Sequence, residues 1–293
     1  MRTLLSLFIM LYSLGISAAG NPLTTDPVPE QMFPPSIEEL TFLSGESRLS
    51  GLLYIANGKG PHPTVVLLHG LPGNERNLDI AQVLRRAGFN IMFFHYRGAW
   101  GSEGDYCLNT LVDDVAAALV FLRSHTTRYR IDGRKLSLLG HSMGGWAALA
   151  AARKDVGLAC VGALAPANLG LMAEGIRAGE PNAISFLDYA DTLFMLRNFD
   201  GKHMREDLLS VPPWQLDTRT FAPGLRGKSV LMVAGENDVV LPTESMFDPT
   251  VAAYKREPGI KLHHFTIPGD HSFSWSRIQL TELILDWLQN DCR

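Results

Sequence analysis

Cysteine is scarce in this chain. Three cysteines in 293 residues cannot staple a small loop-rich fold, and an odd count allows at most one intramolecular bridge. Charge of one sign is also missing, since 26 basic residues stand against 30 acidic ones, which excludes the electrostatic footprint of a nucleic-acid binder. There is no internal repeat, no low-complexity tract, no dinucleotide fingerprint and no metal-ligand cluster. No metal or organic cofactor is therefore implied. The only long apolar run is at the N-terminus, where it falls short of the roughly 20 residues a spanning helix needs and is interrupted by Ser6, Ser13 and Gly15.

That first segment instead has the form of an export signal. Arg2 supplies the positive start, residues 4–16 the apolar stretch, and Ser17, Ala18 and Ala19 the small residues of a cleavage site, so residues 1–19 are expected to be removed. An uncleaved anchor is the alternative. Cleavage implies a secreted or periplasmic protein with no stable membrane insertion. Residues 20–35 contain Pro22, Pro27, Pro29, Pro34 and Pro35 and read as an extended lead-in. Cys160 falls in an apolar strand and is expected to be a small buried hydrophobe, while Cys107 and Cys292 are expected at opposite edges of the sheet and so not paired.

From residue 36 to the end, strand-like and helix-like runs alternate, the pattern of a mostly parallel sheet of about eight strands with helices on both faces. Residues 37–43 and 48–56 read as a hairpin, and 64–68, 90–96, 135–139, 156–165, 228–234 and 261–267 as further strands. Helices are expected at 78–87, 108–123, 244–256 and 277–288, and the alanine-rich run 146–152 reads as another. Residues 167–226 break the alternation. They carry helical text, with Phe186, Tyr189, Leu193 and Leu196 three and four apart, and read as a small cap inserted over the carboxyl edge of the sheet.

The chemistry begins at residues 140–145, Gly-His-Ser-Met-Gly-Gly, placed between an apolar strand and a helix. A serine on so sharp a turn stands exposed above the sheet, and the flanking glycines let the two chains pass. A hydroxyl is a weak nucleophile without a base, and the base needs a third group to fix its tautomer. Asp238, in the loop after strand 228–234, and His271, in the loop after strand 261–267, fall at the same edge as Ser142. Glu236 and Asp270 are neighbouring carboxylates read as loop residues, and His263 and His264 lie within a strand.

The elbow at Ser142, the acid loop at Asp238 and the histidine loop at His271, in that chain order, resemble the α/β-hydrolase superfamily over about residues 36–290. The run His69-Gly70-Leu71-Pro72-Gly73 resembles that family's oxyanion loop, which makes the amides of Leu71 and Met143 the candidate oxyanion donors. Residues 96–104 resemble the family's glycine-rich loop, with Trp100 where glycine is frequent. Trp100 is therefore a candidate pocket wall, as are the cap aromatics Phe186, Phe194 and Phe199, whereas Arg97 is expected to be structural.

The resemblance extends to dienelactone-hydrolase-like and feruloyl-type esterases, and to the hydrolase domain of prolyl-oligopeptidase-like peptidases. The expected activity is that of a secreted or periplasmic serine hydrolase cleaving a carboxylic ester through an acyl-enzyme, with a small-molecule ester or a short peptide as substrate. Three alternatives stay open: an aminopeptidase using Glu174, Asp188 or Asp191 to hold a substrate amine, an acyltransferase, and a pseudo-hydrolase that only binds.

Overall fold

The computed structural model describes residues 20–293. The expected signal segment, residues 1–19, lies outside the described residues. Eight strands form one sheet in the order β1-β2-β4-β3-β5-β6-β7-β8. Strands β1 (Ser36–Ser44) and β2 (Ser47–Ile55) make the antiparallel hairpin, and β2 runs antiparallel to β4 (Asn90–Phe94). The others, β3 (His62–Leu68), β5 (Ile131–His141), β6 (Cys160–Leu164), β7 (Ser229–Gly235) and β8 (Lys261–Ile267), pair in parallel.

The central strands are apolar because both sheet faces are covered. Val66, Leu68, Val230 and Met232 point into one core, with α2 (Leu111–Ser124), α3 (Met143–Ala152) and α9 (Asp248–Arg256). Their neighbours Val65, Leu67, Leu231 and Val233 point into the other, with α1 (Leu78–Arg86) and α10 (Arg277–Asp291). Truncating fully buried Leu231 to alanine would cost roughly 2–5 kcal/mol.

Several expected boundaries shift for local reasons. The strand expected at 156–165 begins at Cys160, because Asp155 turns the chain by accepting from the Gly157 amide at 2.8 Å. The helix expected at 244–256 is broken into α8 (Thr243–Met246) and α9 at Phe247, with Pro249 in the first turn of α9, where its missing N–H is harmless.

The reading of Cys160 as an unbridged hydrophobe is overturned: it is bonded to Cys292, with Cα atoms 5.9 Å apart. Cys160 opens β6 at the amino edge of the sheet, and α10 runs back to that edge before ending. Gly162 in β6 has no side chain, so Trp287 of α10 packs against it and brings Cys292 within reach. Cys107 is free.

Between β6 and β7 the chain forms α4 (Leu169–Ala178), α5 (Pro181–Ala190), α6 (Gly201–Leu209), α7 (Pro213–Leu216) and a 3-10 turn, Thr218–Leu225. Asn168 ties the two ends of this segment together. Its side-chain oxygen caps α4 at the amides of Gly170 and Leu171, while its nitrogen donates to Asp217 at 2.7 Å. A second set of bonds ties the cap to the loop after β4, where Asp207 accepts from the Leu108 amide at 2.7 Å and the Arg197 amide donates to Gly98 at 2.7 Å. Among the described residues no helix is long and apolar enough to cross a membrane.

Candidate active site

Ser142 sits between β5 and α3 at φ 57°, ψ −123°, a conformation an L-residue adopts only when its surroundings impose it. Its amide donates to Leu164 at 2.8 Å, and its carbonyl accepts from Gly145 and Ala167 at 2.9 and 3.0 Å. The close crossing explains two glycines. A Cβ on Gly140 would lie 1.9 Å from the Gly144 carbonyl oxygen, and one on Gly144 would lie 2.2 Å from that of Leu68.

Asp238 and His271 converge on this serine from the ends of β7 and β8. The Asp238 side chain is buried, with Oδ1 accepting from the amides of Val240 and Leu241 at 2.9 and 2.8 Å. His271 Nδ1 lies 2.7 Å from Oδ2 of Asp238 and its Nε2 lies 2.9 Å from Ser142 Oγ. With the carboxylate ionised and able only to accept, Nδ1 carries the ring proton and Nε2 is free to take the serine's.

Gly70, Leu71 and Met143 line the same cavity as Ser142 and His271. Met143 opens α3, where an amide has no acceptor within its own helix. The cavity measures about 510 Å³ and its walls are mainly apolar: Leu108, Leu169, Met172 and Met204, with Phe186 and Tyr189 from α5. Glu75 is the carboxylate on its wall.

The other expected pocket residues are elsewhere. Phe194 is 93% exposed and off the cavity wall, because it follows α5 on the cap's outer side. Phe199 is buried in the core, edge-on to Tyr106 with ring centroids 4.8 Å apart. Trp100 is not a wall either: its indole turns away and donates to the Pro72 carbonyl at 2.7 Å. The cap acids Glu174, Asp188 and Asp191 are also absent from the lining, and Asp191 Oδ1 instead accepts from the Gly201 amide at 2.8 Å. Arg97 is bonded to the fully buried carboxylate of Asp114 at 2.6 Å. His263 pairs with Asp291 of α10 at 2.9 Å, and Asp270 accepts from the amides of Ser272 and Ser274.

Two histidines that belong to the motifs read from the sequence, and were given no role there, are buried beside the site. His141, the residue before Ser142, has Nε2 2.7 Å from the backbone carbonyl of His271, and burial beside that second imidazole pushes its pKa down to about 4. His69, directly before Gly70, is pushed down to about 4 by burial. Membership of the two motifs was the available signal in both cases.

A family model described as the alpha/beta hydrolase family matches residues 65–282, and the chain belongs to that family. An uncharacterized protein of Salmonella typhimurium strain LT2, YfhR, is 29% identical over 214 residues, 73% of this chain and 65% of the relative. Its namesake in Salmonella typhi is 34% identical over 97 residues, 33% of this chain and 32% of the relative. The matched segments thus span less than two thirds of either relative.

Among solved structures, Est1E from Butyrivibrio proteoclasticus superposes with a TM-score of 0.65 at 18% identity, over 86% of this chain and 98% of that one. The acylaminoacyl peptidase of Pyrococcus horikoshii gives 0.65 at 16%, over 89% and 42%. At such identities the likeness is one of fold.

Proposed function

We propose that this chain is an exported serine hydrolase that cleaves carboxylic esters through an acyl-enzyme. The observation that carries the reading is the continuous bond path Asp238–His271–Ser142, ending on a hydroxyl that opens into a mainly apolar cavity. Ser142 Oγ attacks the ester carbonyl as its proton passes to His271 Nε2, and the resulting imidazolium is held by Asp238. The oxyanion is received by the amides of Leu71 and Met143, and His271 returns the proton to the departing alcohol. Water then enters, gives its proton to His271 and releases the acid, regenerating the serine.

An ester is favoured over a peptide terminus because the cap acids Glu174, Asp188 and Asp191 are off the cavity wall, and aromatic and aliphatic side chains dominate it against the single carboxylate of Glu75. Est1E, whose fold this chain shares, has been solved with ferulic acid bound, which fits an aryl acyl group in such a pocket. Export is supported by the leader-like residues 1–19 and by the Cys160–Cys292 bridge, a bond that persists in oxidising compartments. A fluorophosphonate should label Ser142, and Ser142→Ala should abolish labelling and ester turnover. Label on another serine, or faster cleavage of aminoacyl anilides than of any ester, would overturn the reading.

A further inference from the structure

Leu71 lies between two carbonyls that are each anchored by a ring N–H. His69 Nδ1 is 2.7 Å from the Gly70 oxygen and Trp100 Nε1 is 2.7 Å from the Pro72 oxygen. The Gly70 C=O and the Leu71 N–H are opposite ends of one trans peptide plane and point opposite ways. Pulling that carbonyl toward His69, which is buried and off the cavity wall, therefore turns the Leu71 N–H toward the cavity that Gly70 and Leu71 line. The loop is packed tightly around this arrangement. A Cβ on Gly70 would lie 2.9 Å from Ser142 Cβ, and one on Gly73 would lie 2.5 Å from His69 Nδ1.

We propose that His69 and Trp100 are positioning residues that hold the Leu71 amide as an oxyanion donor, a role resting on the reading of Ser142 as the nucleophile. Trp100 is itself fixed from several sides. It sits at φ 50°, its amide donates to Met195 of the cap at 3.2 Å, and the Arg76 guanidinium lies 4.9 Å over its ring while donating to the Gly73 carbonyl at 3.3 Å. His69 has its proton on Nδ1, since that atom faces a carbonyl, and its Nε2 is buried with no partner among the described residues. A second proton would have no acceptor there, so the ring stays neutral with the donor in place. A residue that sequence reasoning assigns to the pocket wall thereby acts on the oxyanion hole from behind.

Trp100→Phe removes one anchor while keeping an aromatic ring, His69→Leu removes the other, and His69→Asn restores an N–H near the Nδ1 position. With a good ester substrate, Trp100→Phe and His69→Leu should each lower kcat by about 10- to 100-fold, less than outright loss of an oxyanion donor, with little change in KM. Affinity for a trifluoromethyl ketone, which forms a tetrahedral oxyanion on the serine, should fall by the same factor, while affinity for the matching methyl ketone should hold. His69→Asn should recover part of the loss seen in His69→Leu.

Trp100→Phe folded, by circular dichroism, with kcat unchanged would overturn the proposal. So would equal losses for both ketones, or a kcat loss without any loss of trifluoromethyl ketone affinity. Should His69→Leu fail to fold, Trp100→Phe and His69→Asn still decide the matter. A wild-type protein that fluorophosphonate leaves unlabelled would remove the underlying reading, an outcome distinct from variants as fast as a labelled wild type.

Discussion

The imidazole of His141 holds the backbone carbonyl of His271 at 2.7 Å, so the residue before the nucleophile anchors the loop that carries the base. The two rings lie 4.9 Å apart, and one peptide bond joins His141 to Ser142. Removing the anchor should let His271 drift, and because His141 itself lines part of the cavity, the replacement has to keep a ring of similar size. His141→Phe is therefore expected to lower kcat about 10- to 100-fold with KM nearly constant, and His141→Gln to recover part of it. An unchanged kcat in a folded His141→Phe variant would make this bond incidental.

Asp238→Asn and His271→Ala are expected to lower turnover by about 10³-fold or more each, since both act within one concerted unit. His263→Ala should leave turnover near wild type, because its ring faces Asp291 and is off the cavity wall. Steady-state kinetics on a single ester separates these outcomes. A His263→Ala loss as deep as that of His271→Ala would mean that the base has been misidentified.

Acid should destabilise this fold earlier than its carboxylates alone would require. His69 and His141 are held neutral by burial, with values near 4 in place of the ordinary 6.5. Between those values the unfolded chain binds protons that the folded chain refuses, so these two rings lower stability as pH falls from about 6.5 to about 4, and His95, pushed down to about 3 by burial, extends the loss below that. At full effect His69 and His141 each contribute on the order of 3 kcal/mol. Burial pushes the Asp79 and Asp217 carboxyls up, but bonds from Arg277, and from Arg219 and Asn168, together with backbone N–H groups hold both below their ordinary 3.8, so they lose their contribution only at lower pH. Urea midpoints measured from pH 7 to pH 4.5 should drop steadily, and a flat profile would contradict the burial of these two rings.

The Cys160–Cys292 bridge joins residues 132 apart and lies at the amino edge of the sheet, away from Ser142. Removing it should cost about 2–5 kcal/mol, lowering the melting temperature by several degrees. Ester turnover at 25 °C should be unchanged in the Cys160→Ala, Cys292→Ala double variant. A melting temperature that does not move under that substitution would place the bridge outside the native fold.

What was legible depended on whether the signal was local. The strand, glycines and helix around Ser142 are contiguous in sequence, and Asp238 and His271 are placed by the ends of two readable strands. Pairings that depend on how distant elements pack were hidden. Whether Cys160 meets Cys292 is decided by where α10 ends against β6, and whether Trp100 faces the cavity or the back of the Leu71 loop is decided by one side-chain direction. The cap aromatics show the same limit. Helical spacing groups Phe186 and Tyr189, but it cannot say that Phe199 turns inward against Tyr106 while Phe194 turns to solvent.

That sorting of the cap aromatics makes selectivity testable one side chain at a time. Phe186 and Tyr189 lie on one face of α5 and line the cavity above Ser142, so they are expected to contact the acyl or alcohol portion of a bulky ester. A small acetate ester is expected to react at Ser142 without reaching them. Phe186→Ala and Tyr189→Ala should each lower kcat/KM for aryl or long acyl esters by about 10- to 200-fold, the equivalent of 1–3 kcal/mol of lost apolar contact, with acetate cleavage little changed. Phe194→Ala, altering a side chain already in solvent, should change neither. If all substrates slowed equally in the Phe186 and Tyr189 variants, the cap would be acting on the catalytic machinery and not on selectivity. If Phe194→Ala shifted the ester preference, the cap would have to close further over the site than its present position allows.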